Sequence, residues 1–192
     1  TALGLVQGLV ITTDAFNGEN MMGTWNIWLQ DSYGDGGHQV SNATMHLTYE
    51  DQGGPSTLPF YDFEADDGGF THSGTNDSWE WGIPTDPEGP AAAHSGQKLW
   101  ATNLAGPFAN SAQFELVTPA VDVPANGCML TFWHWYDMGS SPFDGGNLKI
   151  TTDAGATWTL ITPEGGYPVD PLGSSNPLNP EPGYRGASAG WE

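Results

Sequence analysis

Glycine and proline interrupt this chain so often that no stretch between them leaves room for an ordinary helix with a helical apolar period. The 192 residues include 27 glycines and 15 prolines. Glycine weakens a helix through backbone entropy, and proline through its missing N–H and its ring clash. Strands joined by turns tolerate both residues. Apolar and polar residues alternate most clearly in TWNIWLQ, where Trp25, Ile27 and Leu29 share a face, and in TMHLTY, where Met45, Leu47 and Tyr49 do. GLVQGLVITT, SWEWGI, QKLWATN, QFELVTP, MLTFWHWYD, NLKITT and TWTLIT are predicted as further strands. Nine Trp, eight Phe and six Tyr then supply much of the buried area. The chain is expected to be all-β, a jelly-roll β-sandwich preceded by a small β-rich N-terminal module.

The segment 51–56 has linker composition and sets the predicted boundary near Pro55. Residues 1–54 form the small module or a strand-exchange segment, and residues 55–192 form the sandwich. The front segment begins with a strongly apolar strand that would template aggregation if left at an edge, so a pairing partner is expected for it. The tail from Pro163 to Glu192 reads as long loops over the surface.

Charge limits the partners. Three basic residues stand against 23 acidic ones, for a net charge of -20, so phosphate backbones and anionic membranes repel the chain. Neither nucleic acid nor membrane insertion is expected. Carboxylates without cationic side chains need solvent, backbone N–H groups or a bound cation, and Ca²⁺ is the natural candidate ion. Acidity, two N-glycosylation sequons and the lack of any apolar run of membrane-spanning length lead to the expectation of a mature, exported protein.

Asp62, Glu64, Asp66 and Asp67 place four carboxylates in one short segment. If that segment is extended, Asp62 and Glu64 share a face and can reach one Ca²⁺, with Asp66, Asp67 or loop carbonyls completing an oxygen shell and Asp144 as a further ligand. A solvated acidic turn is the alternative. The loop 31–37 resembles the opening of a calcium loop, but Tyr33 and Asn42 occupy ligand positions, so an ordinary Gly-rich hairpin loop is favoured. Trp79 and Trp81 flank Glu80 and would form a sugar-stacking platform if exposed, whereas Trp133 and Trp135 are expected in the core. Segment 151–158 fits the pattern S/T-x-D-x-G-x-T-W and resembles an Asp-box hairpin. In it Asp153 caps turn N–H groups, Gly155 takes positive φ and Trp158 folds back on the turn. Dispersed His and Ser residues and a single Cys128 in an apolar strand offer no zinc-binding helix and no activated nucleophile, so no catalytic residue is assigned.

From Phe60 onward, YDFEADDGGFTHSGTNDSWEWGIPT, GPAAAHSGQKLWATNLAGPF, LTFWHWYDM and DGGNLKITTDAGATWTLITPEGGYP follow one another in order. Together they resemble the cleaved-adhesin or choice-of-anchor J domains, MAM-like jelly rolls found beside immune-inhibitor-A-type metalloproteases and in bacterial surface proteins. The resemblance implies an extracellular or cell-surface sandwich, often stabilised by Ca²⁺ near the segment matching Asp62 and Glu64. It also implies noncatalytic adhesion to a glycan or a surface protein. In that family further strands follow the stretch matching 184–191, so the sandwich is expected to lack its final strands. Two alternatives stay open: a filament subunit joined to copies of itself by strand exchange, and an accessory domain fragment of a secreted protease.

Overall fold

Burial alternates along one long strand of each sheet. The computed structural model describes the backbone of residues 9–11, 22–31 and 39–48 and the full residues 58–123, 127–139 and 142–192. Ten strands run through these residues, and no helix occurs among them. In chain order they are β1 (Leu9–Ile11), β2 (Met22–Asp31), β3 (Gln39–Thr48), β4 (Thr71–Thr75) and β5 (Glu80–Gly82). There follow β6 (Leu99–Ala101), β7 (Gln113–Asp122), β8 (Met129–Asp137), β9 (Asp144–Ile150) and β10 (Thr159–Ile161). One sheet has the order β1-β8-β3-β6-β5 and the other β10-β9-β2-β7-β4, and every pairing is antiparallel. The pairs β1·β8, β2·β7 and β3·β6 are those of a long hairpin wrapped into a jelly roll.

The predicted strands all overlap observed ones, but β4 was not legible. Its sequence THSGT has no apolar alternation and every residue is exposed, because it is an edge strand bonded only to β7. The expected boundary near Pro55 lies outside the described residues. The described strands before it do not form a sheet of their own: β2 lies between β9 and β7, and β3 between β8 and β6. The apolar strand β1, expected to serve a partner, is bonded to β8 of its own chain, with Leu9 opposite Phe132 and Ile11 opposite Leu130.

The core fills the space between the sheets. Trp100 of β6 with Leu130, Phe132 and Tyr136 of β8 meets Phe114, Leu116 and Val121 of β7, Leu148 and Ile150 of β9 and Ile161 of β10. Each large apolar side chain fully buried here contributes roughly 1.5–3 kcal/mol. Strand β7 carries Pro119, which cannot donate a ladder bond, and the register against β2 shifts where Thr118 and Pro119 lie.

In β8 the inward residues are Phe132, His134 and Tyr136, while Trp133 and Trp135 are half-buried on the opposite face. This reverses the core expectation for the two tryptophans. The strand's parity is set by Leu130 and Phe132, and a one-residue alternation sends their neighbours outward. The tail also departs from its expected surface-loop role. It has no regular strand, yet Leu172, Leu178 and Tyr184 are buried. Its end runs beside β8, where His134 N donates to Glu192 O (2.8 Å) and Glu192 N to His134 O (3.0 Å).

Truncation of the core is the direct check. Leu148→Ala should cost about 3 kcal/mol in urea unfolding, whereas Thr75→Ala on exposed β4 should change stability by less than about 0.5 kcal/mol.

Candidate functional site

The acidic segment lies on a bed of aromatic rings. Phe63 and Phe70 are buried with their rings 5.2 Å apart and nearly perpendicular, and Tyr61 meets Phe70 edge-on at 5.0 Å. The backbone of Gly68, at φ 71°, passes where a Cβ would come within 2.9 Å of Tyr61. Phe63 itself has φ 60°, a left-handed conformation unusual for a residue with a side chain. That turn at Phe63 breaks the extended alternation which would have set Asp62 and Glu64 on one face.

Each carboxylate consequently serves a different part of the loop. Asp62 Oδ1 accepts from Glu64 N (3.1 Å), Asp66 Oδ1 from Gly68 N (2.9 Å) and Asp67 Oδ1 from Gly69 N (2.8 Å). Glu64 reaches across to another loop, where its Oε1 accepts from the N–H groups of Gln97 and Lys98, both at 2.8 Å. Gly96, at φ 67°, leaves the room that Glu64 fills, since a Cβ there would fall on the carboxyl group. The N–H of Lys98 first, and that of Gln97 second, hold the Glu64 carboxyl below its ordinary range.

Three of the loop's carbonyls are engaged as well. Trp81 Nε1 donates to Phe63 O (2.9 Å), Lys98 Nζ to Glu64 O (3.0 Å) and Trp100 Nε1 to Asp67 O (3.0 Å). The Lys98 ammonium also lies 4.3 Å from the centre of the Trp81 ring, within cation–π range. The proposed ligand Asp144 is buried at the start of β9 in the other sheet, opposite Asp31 of β2. Among the described residues no three His, Cys, Asp or Glu side chains converge as a metal site. The five expected ligands are thus not gathered into one shell. Apart from Asp31 in β2, the loop 31–37 lies outside the described residues.

The tryptophan platform is not present. Trp79 is 3% exposed and packs edge-on against Phe114 at 6.0 Å, while Trp81 is half-buried between Phe63 O and Lys98. Phe114 needs a cover on the inner side of β7, and Trp79 supplies it. Sequence reasoning missed Gly96, Gln97, Lys98 and Trp100 as partners of the acidic segment. A signal was available in charge scarcity: with only three basic residues, Lys98 and Lys149 are both partly buried and both bonded, the second to Glu181 at 2.7 Å.

At 151–158 the side chain of Asp153 organises the turn. Its Oδ1 accepts from Thr151 Oγ1 (2.7 Å) and Thr157 N (2.8 Å), and its Oδ2 from Thr157 Oγ1 (2.6 Å). These donors, the Thr157 hydroxyl foremost, pull the Asp153 carboxyl down to about 2. Gly155 has φ 89°, and the Trp158 ring lies 3.4 Å from where its Cβ would be.

Two further groups have reactive chemistry in principle. His72 Nδ1 and Asp77 Oδ2 are 2.6 Å apart, but neighbouring Ser73 gives its hydroxyl to Glu115 (2.7 Å). His134 sits among Phe132, Tyr136 and Tyr184, with its ring centre 4.5 Å from that of Tyr184. Burial lowers its pKa to about 4. Glu192 lies 3.8 Å away and is 39% exposed, too distant and too solvated to reverse the desolvation. Burial likewise raises the Cys128 thiol.

Fold and site together define a jelly-roll β-sandwich whose acidic loop is tied down by protein donors. The chain is similar to Bacillopeptidase F of Bacillus subtilis (strain 168), with 35% identity over 162 residues that cover 77% of this chain and 11% of that protein. The chain therefore spans about a ninth of the length of the curated relative it matches. No family model and no solved structure matches it. No helix among the described residues is long and apolar enough to cross a membrane.

Buried neutral His134 should make stability depend on pH. Its native value is about 4 against 6.5 when solvated, so the unfolded chain alone takes up a proton between those values. Stability is then full above pH 6.5 and falls as the pH drops toward 4. The loss from this residue is roughly 3 kcal/mol. Urea unfolding at several pH values checks this, and His134→Phe should flatten that part of the curve. Asp153→Ala should speed hydrogen exchange at the Thr157 amide and leave the Leu116 amide unchanged.

Proposed function

We propose that this chain is a noncatalytic accessory module of an extracellular peptidase. The observation that carries the reading is its likeness to a stretch amounting to 11% of Bacillopeptidase F, a minor part of a protein whose name is that of a peptidase. The side-chain chemistry supports it. Ser73, the serine beside the His72–Asp77 pair, gives its hydroxyl to Glu115, and His134 is shut inside an aromatic cluster. Aspartate and glutamate side chains that could have formed acid–base pairs are spent on backbone N–H groups. The same likeness favours an accessory module over a free-standing adhesin. The burial of Trp79 also removes the platform on which a sugar-binding role depended. For the filament alternative, β1 would have to leave β8 of its own chain.

Antibody raised against the purified chain, applied to native extracellular material beside a casein zymogram, tests the reading. It should label a polypeptide much longer than this chain that coincides with a caseinolytic band, and the purified chain itself should leave casein intact. An antigen no larger than this chain and separate from all caseinolytic activity would sink the proposal, as would casein hydrolysis by the purified chain.

A further inference from the structure

The family that the sequence resembles places Ca²⁺ near the segment matching Asp62 and Glu64, and the geometry here disagrees. Ca²⁺ requires roughly six to eight oxygen ligands turned toward one point. Three carbonyls and one oxygen of each carboxylate in the acidic loop are engaged elsewhere. The carbonyls of Phe63, Glu64 and Asp67 accept from Trp81 Nε1, Lys98 Nζ and Trp100 Nε1 at 2.9, 3.0 and 3.0 Å. Asp62, Asp66 and Asp67 each bond an N–H of their own turn, and Glu64 Oε1 holds the N–H groups of Gln97 and Lys98.

We infer that the Lys98 ammonium, aided by the indole N–H groups of Trp81 and Trp100, is the built-in cation of this loop, which therefore folds without a divalent metal. Two features make Lys98 suited to the task. Its stem reaches from the strand-side residue whose own N–H already binds Glu64, so one residue grips both the carboxylate and the backbone carbonyl of Glu64. Its charge also rests over the Trp81 ring at 4.3 Å, which fixes the ammonium where an entering Ca²⁺ would meet like charge. Trp81 and Trp100 belong to β5 and β6, so the three donors anchor the loop to the edge of one sheet.

Thermal melting of the full chain in chelator and in millimolar Ca²⁺, with indole N–H exchange followed by NMR, tests this. Any difference in midpoint between the two solutions should be the same in the native chain and in an Asp62→Asn, Asp67→Asn double variant, and the Trp81 and Trp100 indole protons, assigned through Trp81→Phe and Trp100→Phe, should stay protected in chelator. Lys98→Met, which keeps the stem and removes the charge, should speed exchange of both by about tenfold, and Lys98→Arg should restore much of the protection. A midpoint that rises with Ca²⁺ in the native chain but not in an Asp62→Asn, Asp67→Asn double variant would overturn the inference. A Ca²⁺ response of equal size in both proteins would locate the ion outside this loop and agree with it. Indole protons that exchange freely in chelator-treated native protein would also overturn it, whether or not the Lys98 variants fold.

Discussion

The face-to-face packing of two sheets across an aromatic core is the constraint on which the other features rest. Strands β7, β8 and β9 bring Phe114, Leu116, Phe132, Tyr136, Leu148 and Ile150 into one cluster, and the connecting segments are fixed by what they add to it. Phe63 and Phe70 pull the acidic loop down onto Trp100, and Trp79 seals Phe114. Tyr184 draws the tail in beside His134 and Tyr167. Segments without regular structure are thereby ordered by side chains that belong to the core, a stronger constraint than their own backbone preferences.

A second constraint is electrostatic. With three basic residues for 23 acidic ones, ion pairs cannot neutralise the carboxylates. The chain answers with backbone N–H groups, which carry partial positive charge and cost no side-chain entropy. Asp62, Asp66, Asp67, Asp77, Asp86 and Asp137 each accept from an N–H two residues ahead, and Glu64 and Glu80 accept from distant loops. Lys98 and Lys149 are kept for positions where a carbonyl or a carboxylate lies partly out of solvent. Carboxylates used in this way are structural parts of the fold.

The strands were legible because alternation and turn residues act locally, and the hairpin at 151–158 was legible because Asp153, Gly155 and Thr157 lie within one turn of each other. Strand β4 was invisible because an exposed edge strand has no buried face to write into the sequence. The acidic segment misled for a related reason. Its extended reading depended on a backbone angle at Phe63, which instead has φ 60°, with its ring against Tyr61 and Phe70 and its carbonyl held by Trp81, eighteen residues on.

The amino-acid sequence by itself determined that the protein is all-β, acidic and rich in buried aromatics, since composition, period and turn chemistry need no distant partner. Tertiary structure alone decided that Phe132, His134 and Tyr136 face inward in place of Trp133 and Trp135, that β2 and β3 lie inside the two sheets, and that Lys98 closes on Glu64. Parity, strand order and cross-loop hydrogen bonds depend on which surfaces meet when the sheets pack. That choice is made by the sum of long-range contacts, which no short window of residues contains.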